Sequence, residues 1–103
     1  MDVASDPKYS VPIRKQAIFS AGQTGVSTTE LSALYTKLTD RQLKEQLIWV
    51  MSEKGDGAAV ERLMSIAKTD PDRELRKKAI FWLGQMGDRD PRVKQFLMDI
   101  ING

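Results

Sequence analysis

The chain has 103 residues, of which 41% are hydrophobic and 29% are charged, so it is long enough for one folded domain and too short for two of ordinary size. Its 16 lysines and arginines stand against 14 acidic residues, and a net charge of +2 is too small and too evenly mixed to indicate nucleic acid or an anionic membrane as a partner. The sequence has no cysteine and no histidine, which excludes disulfides, a thiolate or imidazole metal site and a Ser-His-Asp arrangement, and no cofactor is expected.

The first ten residues, MDVASDPKYS, are polar and are expected to form a poorly ordered extension (1–10) ahead of a single domain over residues 11–103. They do not resemble a secretory signal peptide, so the cytoplasm is the default compartment. No apolar run approaches the ~20 residues that a membrane-spanning helix needs, and no membrane partner is expected.

The sequence repeats itself in three segments, IRKQAIFSAGQTG (13–25), LKEQLIWVMSEKG (43–55) and LRKKAIFWLGQMG (75–87). Each segment opens with an aliphatic residue and a base, carries an isoleucine followed by an aromatic residue at its centre, and closes with a glycine. Self-similarity at a fixed interval is typical of repeat proteins. In the third segment Leu75, Ala79, Trp82 and Leu83 follow the i, i+4, i+7, i+8 spacing of one helical face. Each segment is therefore predicted to form a helix, called here a motif helix.

In the first repeat, the motif helix is predicted to end at Gly25, because glycine favours the positive φ of a C-terminal cap. The next stretch, TTELSALYTKL at 28–38, has its leucines on one helical face. It is preceded by Ser27, which stands at capping-box spacing from Glu30. Residues of about 12–38 are therefore predicted to form the first helical hairpin.

In the second repeat, Thr39 and Gln42 have capping-box spacing ahead of the motif helix, which is predicted to end at Gly55. The amphipathic stretch AAVERLMSIAK at 58–68 follows it. Together these elements predict a second hairpin over about 40–68.

In the third repeat, Asp70 and Pro71 predict a helix start, as N-cap and first helical residue. The motif helix is predicted to end at Gly87, and the amphipathic stretch PRVKQFLMDII at 91–101 follows it. The third hairpin is predicted over about 71–102.

The segment DPDRELRKKAIFWLGQMGD at 70–88 resembles the second helix of a HEAT repeat, and more closely the short bacterial HEAT-like repeats of the phycobilisome lyase type. This resemblance implies an all-α fold, an α-α superhelix or right-handed solenoid of six antiparallel helices that form three HEAT-like hairpins. For activity the resemblance says little, because such repeats occur in lyases, scaffolds and regulators. A solenoid without catalytic equipment is expected to be a non-catalytic protein–protein interaction or scaffold module, and the resemblance implies that its second helices line a concave helical surface.

The aromatic residue of each motif helix is the basis of a predicted partner-binding set. At about 100° per residue, each ring lies away from the centre of the core and beside polar side chains. Stacked repeats would align the rings in a column flanked by a glutamine-rich row, as a protein-binding surface requires. The alternative is that each ring packs sideways against the next repeat whatever the ligand. The predicted set is Phe19, Gln23, Trp49, Glu53, Lys78, Phe81 and Gln85.

The base near the start of each motif helix is predicted to be structural. These bases are Arg14, Lys44 and Arg76, and in two copies an acid stands four residues earlier, as Asp40 and Asp72. The family resemblance implies that such residues form a ladder that ties neighbouring repeats together. A charge-assisted pair would fix the spacing of repeats better than a neutral contact.

Two alternative functions are weighed against protein binding. A basic cluster in the third repeat suggests nucleic-acid or phosphate binding, but acids are interleaved with it, so a solvated, self-neutralised face is favoured and nucleic acid is disfavoured. A chromophore lyase-related activity rests on the family resemblance alone; no set of nucleophile, base and orienting residue is suggested, and the chain is not expected to be an enzyme. The basic cluster comprises Arg73, Arg76, Lys77, Lys78, Arg89, Arg92 and Lys94.

The expected partner is therefore another protein or a peptide. The sequence opens on a motif helix and closes on Ile100 and Ile101 without a polar capping repeat. Because solenoids need polar ends to stay soluble, the repeats are expected to belong to a longer array or to self-associate through exposed solenoid ends.

Overall fold

A computed structural model of the protein describes residues 2–86 and 90–102. Over these residues the chain forms helices only, and six of them correspond to the six predicted helices, which confirms an all-α helical solenoid. The helices are α1 (Asp2–Ser5), α2 (Val11–Gln23), α3 (Thr28–Lys37), α4 (Arg41–Lys54), α5 (Gly57–Thr69), α6 (Arg73–Met86) and α7 (Pro91–Asn102).

The helix α1 lies in the segment that was expected to be a poorly ordered extension, and here the structure differs from the expectation. Ala4 is fully buried, and the side-chain Nε of Arg14 donates a hydrogen bond to the carbonyl oxygen of Ala4 at 3.0 Å. The segment is polar overall, so its composition does not indicate that Ala4 belongs to the hydrophobic core and that α1 contacts α2.

The other six helices form two rows. The motif helices α2, α4 and α6 lie side by side in a first row, and α3, α5 and α7 lie side by side in a second row. Contacts along the first row are more extensive than contacts along the second. The principal dimensions of 44 × 26 × 18 Å describe the elongated shape that such stacking produces.

The hydrophobic core lies between the two rows. The isoleucine of the motif is fully buried in the first two copies, as Ile18 and Ile48, and half-buried in the third, as Ile80. Most of the large, fully buried core side chains are leucines from both rows. Burial of their apolar surface stabilises the packing of one row on the other. These leucines are Leu31, Leu43, Leu47, Leu63, Leu75 and Leu83.

The ends of the helices agree with the sequence at some positions. Ser27 caps α3, because its hydroxyl accepts a hydrogen bond from the Glu30 amide at 3.2 Å, as predicted. Gly25 and Gly55 both have positive φ, at 85° and 62°, after the ends of α2 and α4. The third predicted closing glycine, Gly87, lies outside the described residues.

Two predicted helix starts are wrong. The N-cap of α4 is Asp40, not Thr39, and its carboxylate accepts from the amides of Gln42 and Leu43 at 2.9 and 3.2 Å. The helix α6 begins at Arg73, so Pro71 precedes it, and the Asp72 carboxylate accepts from the Glu74 amide at 2.9 Å. The physical reason for the later start is that the carboxylate predicted as N-cap, that of Asp70, bonds instead to a tyrosine in the first repeat and to the Asp72 amide.

Candidate functional site

Phe19 of α2 and Trp49 of α4 stack on each other across the first two repeats. Their ring centroids are 5.7 Å apart and their planes differ by 9°, which is a parallel stack. Both side chains are half-buried, and Trp49 also packs against the hydrophobic core. The two rings therefore contribute both to packing between repeats and to the surface of the first row.

Phe81, the third ring of the predicted column, has a different environment. It is 55% exposed and lies edge-on to Trp82 of its own helix, with centroids 5.0 Å apart and planes at 81°. The column is thus formed by Phe19 with Trp49, while the third ring presents its surface to solvent.

A cavity of about 170 Å³ lies beside the ring pair, at the C-terminal ends of α2 and α4, and is called here the C-terminal cavity. It brings together Gln23 and Glu53, two residues of the predicted set, with Phe19 and Trp49. Its residues are Phe19, Gly22, Gln23, Trp49, Val50, Glu53 and Lys54.

A larger cavity of about 370 Å³ lies on the other side of the ring pair, towards the N-terminal ends of α2 and α4. Phe19 lines both cavities, so the ring pair is a ridge between two depressions of one surface. This surface, running over α2 and α4 and continuing to α6, is called here the groove. The larger cavity is lined by Val11, Pro12, Lys15, Gln16, Phe19, Gln42 and Gln46.

On α6, Phe81 and Lys78 line a third depression of about 370 Å³ together with Glu74 and Lys77. The ammonium of Lys77 is 3.7 Å from the Glu74 carboxylate one turn earlier, which is a solvent-exposed pair of small energetic value. The last residue of the predicted set, Gln85, is exposed one turn beyond Phe81.

The predicted ladder residues make contacts different from those expected. Asp72 pairs with Arg41 of the preceding repeat, Nε to Oδ2 at 2.7 Å, rather than with Arg76. The hydrogen bond from Arg41 holds the pKa of the Asp72 carboxyl below its ordinary value, and the same bond raises the pKa of Arg41. Arg76 instead donates to the main-chain carbonyl oxygen of Asp70 at 2.6 Å.

The other ladder positions have different partners. Asp40 caps α4, Arg14 anchors α1, and the ammonium of Lys44 in the second repeat lies 4.9 Å from the ring centroid of Tyr35 in the first. Asp72 and Lys44 therefore each contact a neighbouring repeat.

Tyr35 is the centre of a buried polar network that sequence reasoning missed. Its hydroxyl donates to Oδ2 of Asp70 at 2.5 Å, and the guanidinium of Arg62 lies 5.2 Å from its ring centroid. Burial, and then the hydrogen bond to Asp70, raise the pKa of Tyr35 far above its ordinary range. The signal that could have found such contacts is a separation near the repeat length, since Thr28 with Asp56 is a second pair of this kind, 28 residues apart with hydroxyl to carboxylate at 2.9 Å.

The basic cluster of the third repeat is interleaved with acids in space as well as in sequence. Arg92 contacts the carboxylates of Asp90 at 3.0 Å and Glu61 at 3.7 Å. One predicted member, Arg89, lies outside the described residues.

Over residues 2–86 and 90–102, no group of three or more Asp and Glu side chains is placed to hold a metal ion. Within the same ranges, none of the helices combines the length and apolar character that crossing a membrane requires.

Comparison with known protein families gives a match. A family model described as HEAT repeats matches residues 28–103, which is more than half of the chain and includes α3 to α7. Neither the curated proteins nor the solved structures gave a match.

Proposed function

Because the chain belongs to the HEAT repeat family, we propose that it is a non-catalytic module that binds another protein or peptide through the groove. HEAT repeats generally mediate protein–protein interaction or scaffolding. The groove over α2, α4 and α6 is the surface of this chain that best fits that role.

The observation that carries this proposal is the stacked ring pair with a depression on each side. Interface hot spots are enriched in aromatic residues, and a rim of polar groups surrounds them. Phe19 and Trp49 supply the aromatic centre, and glutamine and charged side chains surround it. The stack also fixes both rings in place, so little side-chain entropy is lost when a partner binds.

The closer packing of the first row supports a concave shape for this surface. In a stack of hairpins, the row whose helices approach more closely lies on the inside of the curve. Contacts among α2, α4 and α6 exceed those among α3, α5 and α7. A concave groove buries more of a partner segment than a flat face of the same length.

We keep the finer resemblance, to short bacterial repeats of the phycobilisome lyase type, as a proposal that rests on residues 70–88. It does not lead us to propose a lyase activity, because the acids with described contacts serve the fold. Asp40 and Asp56 cap helices, and Asp70 accepts from a buried tyrosine.

The test is capture of a partner by the wild-type chain beside two groove variants. The first, Phe19→Ala/Trp49→Ala/Phe81→Glu, removes the rings. The second, Gln16→Glu/Lys78→Glu, changes polar positions of the groove that are exposed, so it keeps the packing. Circular dichroism establishes that each variant is helical.

The matched control is Thr29→Ala on α3, which changes an exposed side chain outside the groove. A partner captured by wild type and by the control, and lost by both groove variants, supports the proposal. A partner retained by both groove variants and lost by the control would overturn it.

A further inference from the structure

We infer that the C-terminal cavity binds one arginine side chain of the partner segment, with Glu53 as the group that pairs its charge. This inference rests on the proposed function, because it names what the partner places in the groove.

The size of the C-terminal cavity limits its occupant to one side chain. Its volume is about 170 Å³, and an engineered protein cavity of ~150 Å³ accommodates one benzene molecule. The cavity has no room to deepen between the helices, because a Cβ on Gly22 would lie 2.7 Å from Cγ1 of Val50. A partner side chain therefore enters from the groove and ends at this floor.

The cavity is apolar at its walls and polar at its mouth. The rings of Phe19 and Trp49 and the side chain of Val50 supply apolar surface. Glu53 and Gln23, from adjacent helices, supply a carboxylate and a carboxamide. A long side chain with an apolar stem and a polar head matches this division, as lysine and arginine do.

The charge at the mouth favours a cation. Lys54 cancels the charge of Glu53, but the last turns of α2 and α4 both reach the cavity, which includes Gln23 and Lys54 as their final residues. Each helix C-terminus is equivalent to about half a negative charge. The local balance is therefore negative, and an acidic side chain of the partner is disfavoured.

Arginine fits the cavity better than lysine because two separate hydrogen-bond acceptors lie at its mouth. Its planar guanidinium presents five N–H donors in a fixed fork, so it can donate to the Glu53 carboxylate and to the Gln23 carboxamide oxygen together. A purely apolar side chain would pack against the apolar walls of the cavity. It would also remove the Glu53 carboxylate from water without giving it a hydrogen-bond donor, which costs free energy.

The experiment uses two peptides, acetyl-Gly-Ser-Arg-Ser-Gly-amide and the same peptide with citrulline in place of arginine. Citrulline keeps the shape of arginine and removes its charge. Binding to the ¹⁵N-labelled chain is followed by chemical-shift changes of the Gly22 and Gln23 amides and of the Trp49 indole N–H. We expect the arginine peptide to bind at least tenfold more tightly than the citrulline peptide.

Two matched variants separate a specific charge pair from a general effect of negative charge. Glu53→Gln should reduce arginine binding to the citrulline level. Glu45→Gln removes an acid one turn from Trp49 that does not line the cavity, and it should leave arginine binding unchanged. Lys54→Gln should tighten arginine binding, because it removes the opposing cation.

Equal binding of the two peptides, equal loss in the two glutamate variants, or no shift at the cavity residues would overturn the inference. These results are distinct from failure of the proposed function. A captured partner that depends on the rings but is unaffected by Glu53→Gln would leave the groove as the binding surface and contradict only its preference for arginine.

Discussion

Gly22 of α2 packs closely against Val50 of α4, because an added Cβ would lie 2.7 Å from Cγ1 of Val50. We expect Gly22→Ala to lower the free energy of unfolding by about 1–2 kcal/mol, because overpacking by a methyl outweighs the gain of ~1 kcal/mol in helix propensity. The matched variant is Gly84→Ala, whose added Cβ would meet nothing within 4 Å and should stabilise the chain by up to ~1 kcal/mol. Urea unfolding of both variants checks this pair, and a stabilised Gly22→Ala would show that the close approach is absent.

The three rings of the motif should also differ in their effect on stability. Phe19→Ala removes a half-buried stacked ring, and we expect it to cost about 1–3 kcal/mol of unfolding free energy. Phe81→Ala removes a ring that is 55% exposed, and we expect a change within about 0.5 kcal/mol. Thermal or urea unfolding measures both, and equal losses would mean that Phe81 is as much a packing residue as Phe19.

The sequence predicts only part of the arrangement of the groove residues. Helical periodicity places Phe19 and Trp49 on corresponding faces of successive repeats, so their proximity follows from the repeat. Periodicity does not show that Phe81 turns to Trp82, because that contact depends on the side-chain rotamers of two adjacent residues on one helix. Phe19 and Trp49 pack against each other across repeats, as the packing alternative expects, whereas Phe81 is 55% exposed.

Among the helices, α3 is tied to the segment ahead of α6 by the hydrogen bond from Tyr35 to Asp70. The pKa of Tyr35 is raised in the folded state, so above pH 10.0, its ordinary value, the unfolded chain loses the hydroxyl proton while the folded chain keeps it. The stability that the protonated hydroxyl contributes is therefore fully present below that pH and is lost as the pH rises above it. We expect Tyr35→Phe to be less stable at neutral pH and to lose stability less steeply above pH ~10.

The control for this prediction is Tyr9→Phe, which changes an exposed tyrosine. Its stability should follow the wild-type curve across the alkaline range. If Tyr35→Phe and Tyr9→Phe gave the same slope above pH ~10, the buried hydrogen bond would not be the source of the pH dependence.

The positions of the helices follow from the local hydrophobic pattern. The exact start of a helix depends on which of several nearby side chains accepts hydrogen bonds from its first free amides. The sequence around α4 offers Thr39 and Asp40 as adjacent acceptors, and the carboxylate takes the free amides. At α6 the expected N-cap, Asp70, instead accepts a hydrogen bond from Tyr35, 35 residues earlier in the sequence. No local sequence signature reveals this contact. Arg41 likewise reaches Asp72 across repeats, a contact that no local pattern reveals.

At the scale of the whole molecule, self-association through the exposed apolar side chains of α7 stays a prediction. Met98 and Ile101 of α7 are exposed apolar side chains, 48% and 82%. We expect light scattering to show a mass that rises with protein concentration, and Ile101→Glu to abolish the rise. A mass that stays at one chain at every concentration would contradict this prediction.

The two-row solenoid gives the molecule two long faces, and the central claim is that the face of the first row binds the partner. The most direct measurement is amide chemical-shift mapping of the ¹⁵N-labelled chain with a captured partner. If the central claim holds, the largest shifts lie on α2 and α4 around the Trp49 indole and extend to Phe81 on α6. Shifts confined to α3, α5 and α7, with the Trp49 indole signal unmoved, would contradict it.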